Sequence, residues 1–110
     1  MITWLEEIEK EFARAAEAER SGNEGKVRTS ARRAVGIAVA ELQKRFPEKI
    51  YGRDFISQIR SLAQDGSVPP TVRSAADRLQ AKLSPAFESP SVNPIGDAQI
   101  IIRFIVEQMA

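Results

Sequence analysis

Three observations predict an all-α fold, a single-domain, five-helix up-and-down bundle. Apolar residues recur at helical spacing through five segments, capping residues and breakers stand between those segments, and no strand or hairpin signal interrupts them. The 110 residues form one domain of ordinary length, 1–110. A chain of this length hides roughly two-thirds of its unfolded surface, enough for one core without disulfide or metal staples.

The first helix begins after Thr3, an N-cap with Glu6 at the capping-box spacing. Trp4, Ile8, Phe12, Ala15 and Ala16 make its apolar stripe, while Glu6, Glu7, Glu9 and Glu11 lie toward its positive end. Ser21, Gly22 and Asn23 end it and start the next. The second helix runs from about Glu24 to Phe46, with Val27, Ala31, Ala34, Val35, Ala38 and Leu42 on one stripe and Ile37 and Val39 widening it. Small residues at 31, 34, 36, 38 and 40 would let neighbours approach closely, so this is read as the central helix, and Pro47 stops it.

A short third helix spans about Arg53 to Gln64, with Phe55, Ile56, Ile59, Leu62 and Ala63 inward. Pro69 and Pro70 open a fourth, since proline suits a first helical turn, and Val72, Ala75, Ala76, Leu79 and Leu83 form its inner face. Residues 84–94, "SPAFESPSVNP", read as an irregular surface crossing anchored by Phe87. The last helix takes Asn93 as cap and Pro94 at its first position. Its main stripe is Ile95, Ala98, Ile101, Ile102, Ile105, Val106 and Met109, with Ile100 and Phe104 on another side. A helix so apolar is either central in the bundle or meets a second copy of the chain.

Composition narrows the function classes. Sixteen basic against fifteen acidic side chains leave a formal charge of +1, too little to draw nucleic acid by net field, so such binding needs a local patch. With no cysteine or histidine, zinc and iron–sulfur sites lose their usual ligands and thiol chemistry is excluded; no cofactor is expected. "MITWLEEIEKEF" carries acids where a signal peptide needs a basic start, and the longest apolar stretch, "IIIRFIV", is broken by Arg103 far short of the ~20 residues of a membrane span. The expectation is a cytoplasmic protein without membrane contact.

The residues that could carry function are cations. Lys26, Arg28, Arg32 and Arg33 crowd the first half of the second helix. Arg28 and Arg32 lie one turn apart on one flank of its apolar stripe, Lys26 and Arg33 on the opposite flank. They could meet phosphates or an acidic partner. The plainer reading pairs them across the surface with Glu7, Glu11, Glu17 or Glu19 of the first helix, and it is preferred because surface pairs are common and weak. Cations near a helix start do oppose the dipole by a few tenths of a kcal/mol or more, which favours some use for them. Asp97, in the first turn of the most apolar helix, suits that helix's positive end; the alternative is a pair with Arg32 or Arg33. Gly22, Gly25 and Gly36 follow no strand and precede no Gly-Lys-Ser/Thr, so they form no phosphate loop. No serine has a histidine to activate it, and an enzyme is disfavoured.

Two stretches, "ERSGNEGKVRTSARRAVGIAVAEL" and "NPIGDAQIIIRFIVEQ", give the chain a layout that resembles the HEPN superfamily of small all-α bundles. The resemblance implies that the first, second and last helices pack together while shorter helices fill the connection. Many HEPN proteins look like metal-independent ribonucleases with an arginine followed four to six residues later by a histidine. A histidine-free chain cannot hold that motif, so the resemblance points to the non-catalytic branch of binding and partner subunits, some of which pair with nucleotidyltransferases and many of which dimerise through helix faces. The expected function is therefore a non-catalytic interaction protein, a homodimer or partner subunit, acting through a face with Ile100 and Phe104. The alternative is an RNA- or nucleotide-binding module using Lys26, Arg28, Arg32 and Arg33.

Overall fold

Local side chains set where each helix starts. In a computed structural model describing residues 3–81 and 91–110, the Thr3 hydroxyl accepts the Glu6 N–H at 3.2 Å and opens α1, Trp4–Arg20. Asn23 caps α2, Glu24–Arg45, by accepting the Lys26 N–H at 3.1 Å. Asp54 caps α3, Phe55–Gln64, through the Ser57 N–H at 2.9 Å. Proline takes over for α4, Pro70–Gln80, and Asn93 caps α5, Pro94–Met109, through the Gly96 N–H at 3.0 Å. Each cap satisfies a donor that the first helical turn leaves without a partner. The expected contacts of Leu83 and Phe87 lie outside the described residues.

The α1–α2 turn is a Schellman motif. The Gly22 N–H reaches Glu19 O at 3.2 Å and the Asn23 N–H reaches Ala18 O at 2.8 Å, with Gly22 at φ 75°, where a side chain would be strained. The turn folds α2 back antiparallel to α1. At one end Ala15, Ala18 and Val27 cluster; at the other, the Arg45 guanidinium stands 5.9 Å from the centroid of the Trp4 ring.

α3 starts two residues later than the sequence suggested. Gly52 adopts φ 131°, outside the range of ordinary residues, and Asp54 stays extended to cap, so Arg53 remains in the connection. Within that connection the Lys49 N–H donates to Phe46 O at 2.9 Å, and around Tyr51 and Gly52 glutamines supply the partners. The Gln43 Oε1 accepts the N–H groups of Tyr51 at 2.6 Å and Gly52 at 3.2 Å, and the side-chain amides of Gln43 and Gln58 both donate to Gly52 O.

α2 is the hub. It packs against α1, α3 and α5 and touches α4, while α4 and α5 close the far side against each other. Val35, Ala38, Val39 and Leu42 of α2 meet Ile59 and Leu62 of α3, Leu79 of α4, and Ile101 and Ile105 of α5 in one core, all at 1% exposure or less. Full burial of each Leu or Ile contributes about 1.5–3 kcal/mol. α5 divides by sides: Ala98, Ile101 and Ile105 are in the core, Phe104 is half-buried against it, and Ile100 and Val106 are exposed.

Close approach at α2 rests on Gly36. A Cβ built there would lie 2.6 Å from the Phe55 Cβ, closer than carbon atoms pack. Gly36→Ala should therefore lower the unfolding free energy by about 1–3 kcal/mol in urea titration, against the gain of helix propensity.

Tyr51 ties the connection to the end of α3. Its phenol donates to Asp65 Oδ2 at 2.7 Å. Burial, then this bond, pushes the phenol above its ordinary pKa. Bonds from Ser67, then Tyr51, hold the Asp65 carboxyl below the usual carboxylate range. The unfolded chain thus loses the phenol proton first as pH rises, and stability should fall above about pH 10. At the acid end the unfolded chain takes up the Asp65 proton first, so stability falls below about pH 4. Tyr51→Phe should cost about 1 kcal/mol at neutral pH and flatten the alkaline limb in denaturation measured across pH.

Candidate functional site

The four cations of α2 do not act together. Lys26 is exposed; its charge, after the stronger effect of Arg20, helps hold the Glu17 carboxyl below its ordinary value. Arg28 is half-buried beside Arg32. Arg32 turns inward: its Nε donates to Leu79 O at 2.7 Å and its Nη2 to Ala81 O at 3.2 Å. Those carbonyls lie in the last turn and at the C-cap of α4, so Arg32 is a capping cation delivered from another helix. Burial, and secondarily Arg28, lowers the Arg32 pKa. Arg33 is exposed on the opposite flank and faces a different surface.

None of these four forms an ion pair with the acids of α1. The ion pairs of α1 are internal instead, Arg14 with Glu11 and Arg20 with Glu17. Asp97 lies in the first turn of α5, at the helix's positive end, as its position in the sequence implied, but the arginine that pairs with it is neither Arg32 nor Arg33. Its carboxylate is gripped by Arg78, with Nη2 at 2.7 Å from Oδ1 and Nε at 3.3 Å from Oδ2, and it accepts the Ser91 hydroxyl at 2.5 Å. This two-pronged grip raises the Arg78 pKa and ties α4, residue 91 and the first turn of α5 together.

Arg33 lines an open groove of about 410 Å³ between α1, α2 and the start of α3. Glu11 of α1 lines it, with Gly36 and Ile37 of α2, Arg53 and Asp54 of the connection, and Phe55 and Gln58 of α3. Glu11 is buried at 5% exposure. Its Oε1 is paired with Arg14, while its Oε2 has neither solvent contact nor a hydrogen-bond partner. Assigning Glu11 to the helix's positive end missed this burial. The signal was in the spacing: Glu11 stands three residues after Ile8 and four before Ala15, inside the apolar stripe. The roles of Arg53 and Gln58 had no such signal, because they depend on how α3 meets α2.

The candidate dimer face on α5 divides. Ile100 is 36% exposed, whereas Phe104 packs its ring against the core. Among the described residues, no group of three or more His, Cys, Asp or Glu is placed to hold a metal ion, and no helix is long and apolar enough to cross a membrane. Comparison with protein-family models, curated proteins and solved structures found no match for the chain.

If Arg32 caps α4, replacing it leaves two carbonyls without their donors. Arg32→Gln should lower stability by about 1–3 kcal/mol, while Arg28→Gln, which has no such bonds, should stay within about 0.5 kcal/mol in the same thermal or urea unfolding assay.

Proposed function

We propose that the chain is a non-catalytic, HEPN-like interaction protein that self-associates through the outer flank of α5. The observation that carries this reading is Ile100: it stands 36% exposed beside Ile101, which has no exposure at all. Phe104, one turn on, joins it to the core as an apolar strip that runs from interior to surface. Arg103 and Glu107, both exposed, border that strip with opposite charges one turn apart. A two-fold axis across the strip sets Arg103 of each copy near Glu107 of the other, the self-complementarity that an isologous dimer uses. Several polar side chains elsewhere serve the fold: Arg32 caps α4, Arg78 clamps Asp97 and Tyr51 holds Asp65. The RNA- or nucleotide-binding alternative is weakened because Arg32 is engaged with backbone carbonyls, which leaves Lys26, Arg28 and Arg33 divided between two flanks.

Light scattering after gel filtration tests the reading. The chain should run at twice its 12.2 kDa mass, and Ile100→Glu should return it to one mass with its helical circular dichroism unchanged. A wild-type chain that stays monomeric at every concentration overturns the proposal.

A further inference from the structure

The groove over Glu11 has no lining residue from α5, so what it says is independent of self-association. Glu11 is the only buried side chain among the described residues left with an unpartnered polar atom. Such an oxygen costs about 1–3 kcal/mol or more, because a carboxylate gives up water without a replacement donor. At the rim of the same groove Arg33 and Arg53 are exposed, and neither guanidinium makes a hydrogen bond or an ion pair. Ile37 and Phe55, both half-buried, supply an apolar wall. The Gln58 amide is already committed to Gly52 O.

Glu11, with one carboxylate oxygen unmet, two unmet forks of donors and an apolar wall thus line a groove of about 410 Å³, within the ~300–1,000 Å³ of small-molecule sites. Each group states what it would take. The Glu11 carboxylate calls for a cationic N–H donor, and the guanidiniums call for a planar anion. Asp54 at the same rim keeps its negative charge, its pKa held down by the Ser57 N–H first and the Ser57 hydroxyl second. That charge disfavours a multiply charged phosphate and favours a single carboxylate.

We infer that this groove binds a small zwitterion of the α-amino-acid class with an apolar side chain. The ammonium donates to Glu11, the carboxylate accepts from Arg33 and Arg53, and the side chain lies on Ile37 and Phe55. Oε2 lies out of reach of solvent, so binding turns the carboxylate about its last bond and loosens the hold of Arg14. The Arg14 side chain is 55% exposed and the Glu11 side chain 7%, so Arg14 can return to water while the ammonium replaces it as the donor to the buried carboxylate.

The test is titration of the isotope-labelled chain with L-leucine, followed by amide chemical shifts. Saturable shifts confined to the neighbourhoods of residues 11, 33–37 and 53–58 are expected. 4-Methylpentanoate, which lacks the ammonium, and leucinamide, which lacks the carboxylate, should each bind roughly tenfold or more weakly, the loss of one charge-assisted interaction. Arg53→Gln should weaken leucine by about the same factor and leave leucinamide unchanged. Glu11→Gln should weaken leucine and leave 4-methylpentanoate unchanged; if that variant does not fold, exposed Arg53 still decides. Absence of saturable shifts at millimolar leucine, or leucinamide binding as tightly as leucine, overturns the inference. Either result leaves the mass of the chain in light scattering, and hence the α5 reading, untouched.

Discussion

Everything in this fold depends on how closely other helices can approach α2. Ala31, Ala34, Gly36 and Ala38 give it a surface almost without side chains, and α1, α3 and α5 each settle against part of it. Small residues trade side-chain burial for proximity of backbones, and the burial is recovered by the larger residues that reach across from the neighbours: Ile59, Leu62, Ile101 and Ile105. The tightest point is Gly36 against Phe55, where a single added carbon has no room. That contact also sets the floor of the Glu11 groove, so the same constraint that closes the core shapes the surface feature beside it.

The connections are short of regular backbone partners, and side chains make up the shortage. Gln43 does for the α2–α3 connection what a neighbouring strand would do, accepting two N–H groups with one oxygen. Arg32 finishes α4 from a distance, and Arg78 with Asp97 fastens α4 to the start of α5. These bonds are directional, whereas apolar burial is not. They therefore fix the relative placement of helices that the core alone would leave free to slide. Removing one partner from such a bond costs more than the bond is worth in water, since the other is left desolvated.

This allocation divides the charges of a nearly neutral chain into two sets. One set is internal to the architecture, as with Arg32, Arg78, Asp65 and Asp97. The other stays at the surface without partners, as with Arg33 and Arg53 over the groove. Glu11 belongs to neither: it is buried like Asp97, yet half of its carboxylate is unsatisfied. Among the described residues every other buried polar side-chain atom has a partner, which makes that exception chemically specific rather than a general looseness of packing.

The helices themselves were legible from local chemistry. Thr3, Asn23 and Asn93 cap through bonds to residues three positions on, and the apolar periods mark the sides that turn inward, so five helices and the hub role of α2 follow without knowing how the chain folds back. The Asp54 cap, inside the helix expected from Arg53, emerged only in the structure. Even the burial of Glu11 was encoded in its spacing from Ile8 and Ala15. The partners of Arg32 and Asp97 were not. Leu79 and Ala81 lie 47 and 49 residues from Arg32, and Arg78 lies 19 from Asp97. Periodicity tells which residues share a face of one helix, but a bond between two helices depends on their crossing and register, which only the packing of the whole core decides.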